Sequence, residues 1–441
     1  MKLGVFGLFL TVLTINSSSV FANDSAGLME IYELALQSDP QISAAKFGRD
    51  AGLEKSEQGL SLLLPQISFS AGISYSKTKV DSLNIDQNSD NRNFGLQLSQ
   101  PLFNASSSTS YKQSKIVVDQ AELEYRIAEQ DLILRVAQAY FDVLSAQENL
   151  AVNQAETRAF AESLARANLT FKVGTATKTD KLEAQARFDL ARASELSAEN
   201  LLAIAKQTLS SITGVPTKKL KSLVKNSKLT SINPTEMEQW NQLALANNYQ
   251  LQLSQTSLDI AKKEMIKLKD DRLPTINLVA SARENTGFSA NLGTDITTDT
   301  LSIGLELSLP LYTGGLMSSR IREAEHLRFQ QKELQTNSQR QVLLQTQQAY
   351  LTVMNGFQQI DALEQALISS ESALQATKKG LEVGVRTNLD VLDSQQQYFS
   401  TERDFRIAKF NYLLQILNLK AAAGILSAED IQSLNALLVS A

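Results

Sequence analysis

The side chains best placed to do chemistry fall in two short runs, each of which reads as the turn between two helices. The first is Phe171-Lys172-Val173-Gly174-Thr175-Ala176-Thr177-Lys178-Thr179-Asp180, and the second is Leu381-Glu382-Val383-Gly384-Val385-Arg386-Thr387-Asn388-Leu389-Asp390, followed by Val391-Leu392-Asp393. Gly174 and Gly384 suit the left-handed residue that ends a helix. Thr177 and Thr387 suit the N-cap of the next helix, with Asp180 and Asp390 three residues on, as in a capping box. The chemistry this offers is a carboxylate held against the positive end of a helix. Little else is available. The chain has no Cys and one His, which excludes disulfides, thiolate metal sites, iron–sulfur clusters and thiol nucleophiles. A Ser-His-Asp triad would have to use that one His, and His326 sits among Glu323, Glu325 and Arg328, where a solvated surface position is expected. No nucleophile–base pair or metal cluster emerges, and neither a cofactor nor catalysis is expected.

The elements that position these turns come from an internal repeat. Leu34-Ala35-Leu36 recurs as Leu243-Ala244-Leu245, Leu64-Pro65 as Leu273-Pro274, and Gln100-Pro101-Leu102-Phe103 as Leu309-Pro310-Leu311-Tyr312, each about 209 residues on. One inserted residue makes the offset about 210 for Gln138-Ala139-Tyr140 and Gln348-Ala349-Tyr350, and for the two Val-Gly turns. Residues 23–213 and 235–420 therefore form two repeats, joined by a link over 214–234 and followed by a segment over 421–441. Residues 1–22 read as a secretory signal peptide: Met1-Lys2, an apolar run over 3–15, and small residues ending at Ala22. That run is too short to span a bilayer.

Within the first repeat the hydropathy period is two over 66–78 and 93–103. Ile67, Phe69, Ala71, Ile73 and Tyr75 alternate with serines and Gly72, and Phe94, Leu96 and Leu98 alternate with Gly95, Gln97 and Ser99. A polar loop through Asp81, Asp86 and Asp90 is expected between them. The second repeat has the same pattern over 275–284 and 300–312. Four amphipathic strands of about ten residues match the length and alternation of a membrane barrel. Soluble hairpins covering a helical core are the other reading. Four strands cannot close a barrel, so a membrane barrel would need several chains.

The stretches 23–64 and 105–213 are expected to be helical, with the turn at Gly174 interrupting the second. No Pro or Gly falls between Ala105 and Lys172, enough helix for roughly 100 Å. Ile116, Leu123, Ile127, Leu134, Phe141 and Leu144 follow a heptad seam. Low aromatic content (6%), 7 Pro and 19 Gly suit long helices packed through small residues, and a net charge of −5 with a pI near 5.3 argues against a nucleic-acid partner.

The turn VGVRTNLDVLD, the strand LLPQISFSAGISY, and the helical stretches QAYFDVLSAQENL and YLLQILNLKAAAGILS together resemble the TolC family of outer-membrane exit ducts, over essentially the whole chain after the leader. The resemblance implies a mixed α and β fold. Three identical chains would each give four strands to one shared transmembrane β-barrel, continued by a long periplasmic α-helical barrel with coiled-coil tips. It implies a passive conduit for efflux or type I protein secretion, located in the outer membrane and in contact with its lipid. A periplasmic adaptor protein would meet the helix turns at Val173, Gly174, Thr175, Val383, Gly384 and Val385. An inner-membrane transporter of ABC, RND or MFS type would supply the energy. Asp390 and Asp393 match an acidic, cation-selecting ring at the periplasmic mouth, where crowding of six carboxylates would raise some of their pKa values. Arg386 matches a latch arginine, with Thr179 and Asp180 as its partner positions. Leu381 departs from the tyrosine of the best-known pattern, and Ala176 replaces the latch arginine in the first repeat.

Several weaker features complete the reading. Phe103 and Tyr312 suit either an aromatic girdle at the membrane boundary or packing at the strand-to-helix junction. Thr313-Gly314-Gly315 suits a bend between strand and helix and lacks the pattern of a phosphate loop. Lys218, Lys219, Lys221, Lys225 and Lys228 make a basic link, read as solvated or as touching an anionic envelope component. The link and the C-terminal segment would belt the tunnel at mid-height. The rival to the whole reading is a soluble periplasmic coiled-coil adaptor or scaffold protein.

Overall fold

A computed structural model describes residues 25–80, 85–223, 231–289 and 294–439. The leader expected over 1–22 lies outside the described residues, as do Asp81, Lys225 and Lys228. The first repeat runs β1 (Ser25–Ala26), α1 (Leu28–Ser38), α2 (Pro40–Ser61), β2 (Gln66–Val80), β3 (Ile85–Phe103), α3 (Ala105–Lys172) and α4 (Lys178–Thr213). The link carries β4 (Lys219–Leu220) and β5 (Ser222–Leu223). The second repeat runs α5 (Met237–Asn247), α6 (Tyr249–Asp270), β6 (Thr275–Ser289), β7 (Thr294–Ser308), α7 (Leu316–Glu382) and α8 (Asn388–Ala422), and α9 (Ala428–Asn435) and β8 (Leu438–Val439) close the chain.

The four long strands form one antiparallel sheet in the order β2-β3-β6-β7. Register converts the alternation in sequence into two faces. Phe69, Leu96, Ala282 and Leu301 fall in one row across the sheet, and Ile67, Leu98, Ala280 and Ile303 in the next. The row between them, Ser68, Gln97, Ser281 and Ser302, points the other way. Among the described residues nothing covers the apolar face: Leu301 is 85% exposed and Ile73 79%. The outer edges of β2 and β7 pair with no other strand among the described residues. α3 and α7, of 68 and 67 residues, carry the chain away from this sheet for roughly 100 Å each. Among the described residues no helix is long and apolar enough to cross a membrane.

Several boundaries differ from expectation, each for a local reason. The helix expected over 23–64 is two helices, preceded by the short β1. Pro40 lacks an N–H and disfavours helical backbone before it, and Asp39 instead caps α2, accepting from Gln41 N (2.8 Å) and Ile42 N (3.0 Å). The equivalent break in the second repeat falls at Asn248, which accepts from Leu251 N at 3.0 Å. The loop expected through Asp86 and Asp90 belongs to β3, since Lys79 pairs with Asp86 and Tyr75 with Asp90. The ladder there continues past the end of the apolar alternation. The last strand, expected over 300–312, runs from Thr294 to Ser308, leaving Pro310 and Tyr312 outside it. Pro101, by contrast, stays within β3 beside a register shift, where a missing donor is tolerated.

The main core lies midway along the helical part, where Tyr140, Phe141, Leu132, Val136 and Leu144 of α3 pack with Leu28 of α1, Leu209 of α4, Phe410 and Leu417 of α8 and Ile431 of α9. The heptad seam is therefore only partly realised. Phe141 and Leu144 are buried at mid-height, where several elements enclose α3, but Ile116, Leu123, Ile127 and Leu134 are only half-buried. Link and C-terminal segment meet at this height. β1 pairs with β4, β5 pairs with β8 (Ser222 with Val439), and the Tyr140 hydroxyl donates to Lys221 O at 2.7 Å.

Asp39 is 2% exposed and also receives the Arg135 guanidinium at 2.8 Å. Asn248→Ala is expected to cost about 1 kcal/mol, the worth of a lost N-cap. Asp39→Ala is expected to cost more, because Arg135 then loses a buried, charge-assisted partner. Denaturation midpoints of the two variants, followed by helical circular dichroism, check the order.

Candidate functional site

The far ends of the two long hairpins hold the candidate site. Each turn closes on a glycine in the left-handed region, Gly174 at φ 80° and Gly384 at φ 79°, a conformation that costs other residues strain. Thr175 N donates to Thr170 O and Val385 N to Gly380 O, both at 2.9 Å, satisfying the carbonyls that each helix end leaves open. The next helix then starts on the expected capping box. Thr177 N donates to the Asp180 carboxylate (2.8 Å) while Asp180 N donates to Thr177 Oγ1 (3.1 Å), and Thr387 and Asp390 repeat this at 2.8 and 3.2 Å. With their caps closed inward, the turns present apolar tips: Val383 and Val385 are 74% and 75% exposed, and Val173, Gly174, Thr175 and Gly384 are exposed too.

Arg386 is exposed in the second turn, its chain lying over Gly380. A Cβ added at Gly380 would come 2.7 Å from Arg386 Cγ. The first repeat has Thr170 and Ala176 at the equivalent positions, so the one turn that carries the arginine also carries the glycine that makes room for it. Gly380 was not among the expected residues. A glycine in the last turn of an otherwise good helix former was the signal that could have found it. Among the described contacts within one chain, Arg386 makes no ion pair with Asp180 and no hydrogen bond with Thr179. Asp180 is engaged by its own cap, and the Lys181 ammonium lies over the Phe171 ring at 5.7 Å.

The two carboxylates expected to form a ring differ in setting. The Thr387 backbone N–H, then its hydroxyl, and then the nearby charge of Arg386 hold the Asp390 carboxyl below the usual carboxylate range. Within one chain this is the opposite direction from the crowding argument. Asp393, one turn further, is bound by Arg187 of α4, whose Nη2 lies 2.5 Å from Oδ1, while Nη1 donates to Gln396 Oε1. Arg187 was also missed. It stands 206 residues from its partner, so only packing between hairpins brings them together. Among the described residues no group of three or more His, Cys, Asp or Glu is arranged to hold a metal ion.

At the other end of the rods, Phe103 is the last residue of β3 and 46% exposed, and Tyr312 lies past the end of β7, 88% exposed. Within one chain, packing at the junction does not bury either ring. Gly314 and Gly315, at φ 63° and 87°, make the expected bend into α7, and His326 is exposed on that helix.

Taken together, a sheet with one exposed apolar face and, among the described residues, two unpaired edges, prolonged by two long helical hairpins, has the form of one portion of a membrane channel. The chain belongs to the outer membrane efflux protein family, whose model matches residues 31–215 and 240–425, one match per repeat. It is 34% identical over 424 residues to the outer membrane protein TolC of Vibrio cholerae, covering 95% of each chain. It is 31% identical to the proteases secretion protein PrtF of Dickeya chrysanthemi, covering 98% of this chain and 95% of that one. Among solved structures it is similar to the Campylobacter jejuni CmeC outer membrane channel, with a TM-score of 0.79, 18% identity and coverage of 100% and 98%. The Vibrio cholerae outer membrane protein VceC gives 0.77 at 18% identity, covering 90% and 96%. The family places the chain in the outer membrane as an exit duct of the efflux and secretion kind, and the soluble adaptor reading is set aside. The relatives are channel proteins, not enzymes.

Because Asp390 has a depressed pKa, its capping contribution is fully present above the ordinary aspartate value of about 3.9 and lost only as pH falls through the lower folded value. The Asp390 carboxyl is expected to titrate below that of an exposed aspartate, and Thr387→Ala to move it back up. A carboxyl-carbon NMR titration of both proteins checks the sign.

Proposed function

We propose that three copies of this chain form one passive, gated, water-filled conduit, with the four-stranded sheets closed into a twelve-stranded barrel and the hairpins into a tunnel whose mouth is the turns at Gly174 and Gly384. The observation that carries this is the sheet: among the described residues its apolar face is uncovered and both of its edges are unpaired. In hydrocarbon an open edge leaves backbone groups unsatisfied at several kcal/mol each, so a spanning sheet must close. Identical copies supply the missing strands, and the polar face of Ser68, Gln97, Ser281 and Ser302 then lines the lumen.

At the mouth, Arg386 is the latch. Its partners at Asp180 and Thr179 are not met within one chain, so the contact is assigned between neighbouring hairpins of different chains. Asp390 and Asp393 form the cation-selecting ring. The exposed apolar turns, Val173, Gly174 and Thr175 with Val383, Gly384 and Val385, are the surface for a periplasmic adaptor, which couples the duct to an inner-membrane transporter of ABC, RND or MFS type. Phe103 and Tyr312 mark the membrane–water boundary on the helix side of the barrel. The protein supplies the path, and its partners supply the energy.

Planar-bilayer conductance of the purified protein beside Arg386→Ala tests the conduit and its gate together. Small steps in the wild type and larger ones in Arg386→Ala are expected, and absence of steps from both would sink the conduit. Gly380→Ala, which pushes Arg386 off its resting place, is expected to change conductance in the same direction by a smaller amount. Divalent cations added on the helix-tip side are expected to block the wild type, with block relieved in the double variant Asp390→Ala/Asp393→Ala; undiminished block would remove the ring assignment.

A further inference from the structure

The turn at Arg386 is not the only tie between the hairpins. Two turns along α8 from it, four residues of one helix face reach the α3–α4 hairpin. Leu392, fully buried, packs in a cluster with Phe160, Ala184 and Phe188. Gln395, 5% exposed, accepts from the Ser163 hydroxyl at 3.3 Å. Asp393 and Gln396 share the guanidinium of Arg187, which forks between a carboxylate and an amide oxygen. The positions i, i+1, i+3 and i+4 face one way on a helix, so this is a continuous seam with an apolar knob and an ionic rim.

We infer that Arg187 is a second gate residue: it holds α8 of the inner hairpin against α4 and, while it does so, withdraws Asp393 from the cation ring. The inference rests on the conduit reading above. The two functions compete for one carboxylate. A half-exposed ion pair is weak, which suits a contact that must break when the mouth opens. Separation of α8 from α4 releases Asp393 to bind cations, and by linkage a divalent cation on Asp393 favours the separated state by the same factor as separation strengthens cation binding. The equivalent of Arg187 in the second repeat is Gln397, so this ionic tie exists once per chain. Arg187 and Asp393 lie on the flank of the hairpins rather than in the glycine turns, the carboxylate more than half exposed, so the seam acts apart from the tip surface.

The test compares wild type, Arg187→Gln and the charge swap Arg187→Asp/Asp393→Arg in planar bilayers, with Ca²⁺ added on the helix-tip side. Arg187→Gln is expected to raise occupancy of the higher-conductance state by about two- to five-fold, the range for a half-exposed pair, and to lower the half-blocking Ca²⁺ concentration because Asp393 is freed. The swap is expected to return occupancy toward wild type. Arg187→Gln indistinguishable from wild type in both readouts overturns the proposal, and so does a swap as leaky as Arg187→Gln. If Arg187→Gln does not assemble, Asp393→Asn breaks the same pair from the other side, and wild-type occupancy in that variant overturns the proposal equally. Steps in wild type and Arg386→Ala without any effect at Arg187 sink this inference alone. Silence from wild type and Arg386→Ala sinks the conduit reading and this inference with it.

Discussion

A sheet in hydrocarbon cannot leave its edges open, and the rest of the molecule follows from that constraint. The long sheet has four strands, and among the described residues the outer edges of β2 and β7 each carry a row of backbone donors and acceptors with no strand to pair with. Closure by identical copies sets a rotation axis through the lumen, and every element attached to the sheet inherits it. α3 and α7 leave the strand ends in the same direction, so they must line one shared tunnel, and their tips must meet around one shared mouth. The two repeats give each chain two similar hairpins, and small differences between them set the two tips apart.

Those differences are few and specific. The turns share their glycine, their threonine cap and their capping carboxylate, so the backbone scaffold of both tips is the same. The second turn adds Arg386 and clears space for it with Gly380, while the first has Ala176 and Thr170. The first hairpin adds Arg187, which reaches across to Asp393 of the second. A rigid, duplicated frame thus carries a non-duplicated set of charges. Asp390 spends its hydrogen bonds on its own helix, whereas Asp393 is held by a neighbouring hairpin, so the two carboxylates answer to different events.

Local chemistry made much of this legible in the amino-acid sequence. A glycine followed by Thr-x-x-Asp defines a turn by itself, and both caps form as that pattern implies. Period-two hydropathy located the four strands because one face must be apolar; it failed at their outer ends, where β3 continues through Asp86 and Asp90 with no apolar face to announce it. The helix break at Asp39 rested on a single proline, and the matching break at Asn248, followed by Tyr249, had no such mark. The heptad seam of α3 holds at mid-height, where Phe141 and Leu144 are buried, and fades toward the sheet, where Ile116, Leu123 and Ile127 are only half-buried, so a uniform stripe overstates the burial along the helix. Arg187 was out of reach for a different reason. Its partner lies in the other repeat, and no spacing within either repeat encodes the packing between them.

The fastening at mid-height has a consequence for how the chain is made. Ser25 pairs with Lys219, and Ser222 with Val439, so the girdle around α3 joins three segments each about two hundred residues apart. Contacts between such distant parts of a chain form slowly and late. The girdle cannot close until translation has delivered residue 439, which leaves the long helices unfastened during synthesis. A clasp that needs residue 439 in place leaves the long helices unfastened until both repeats have been made.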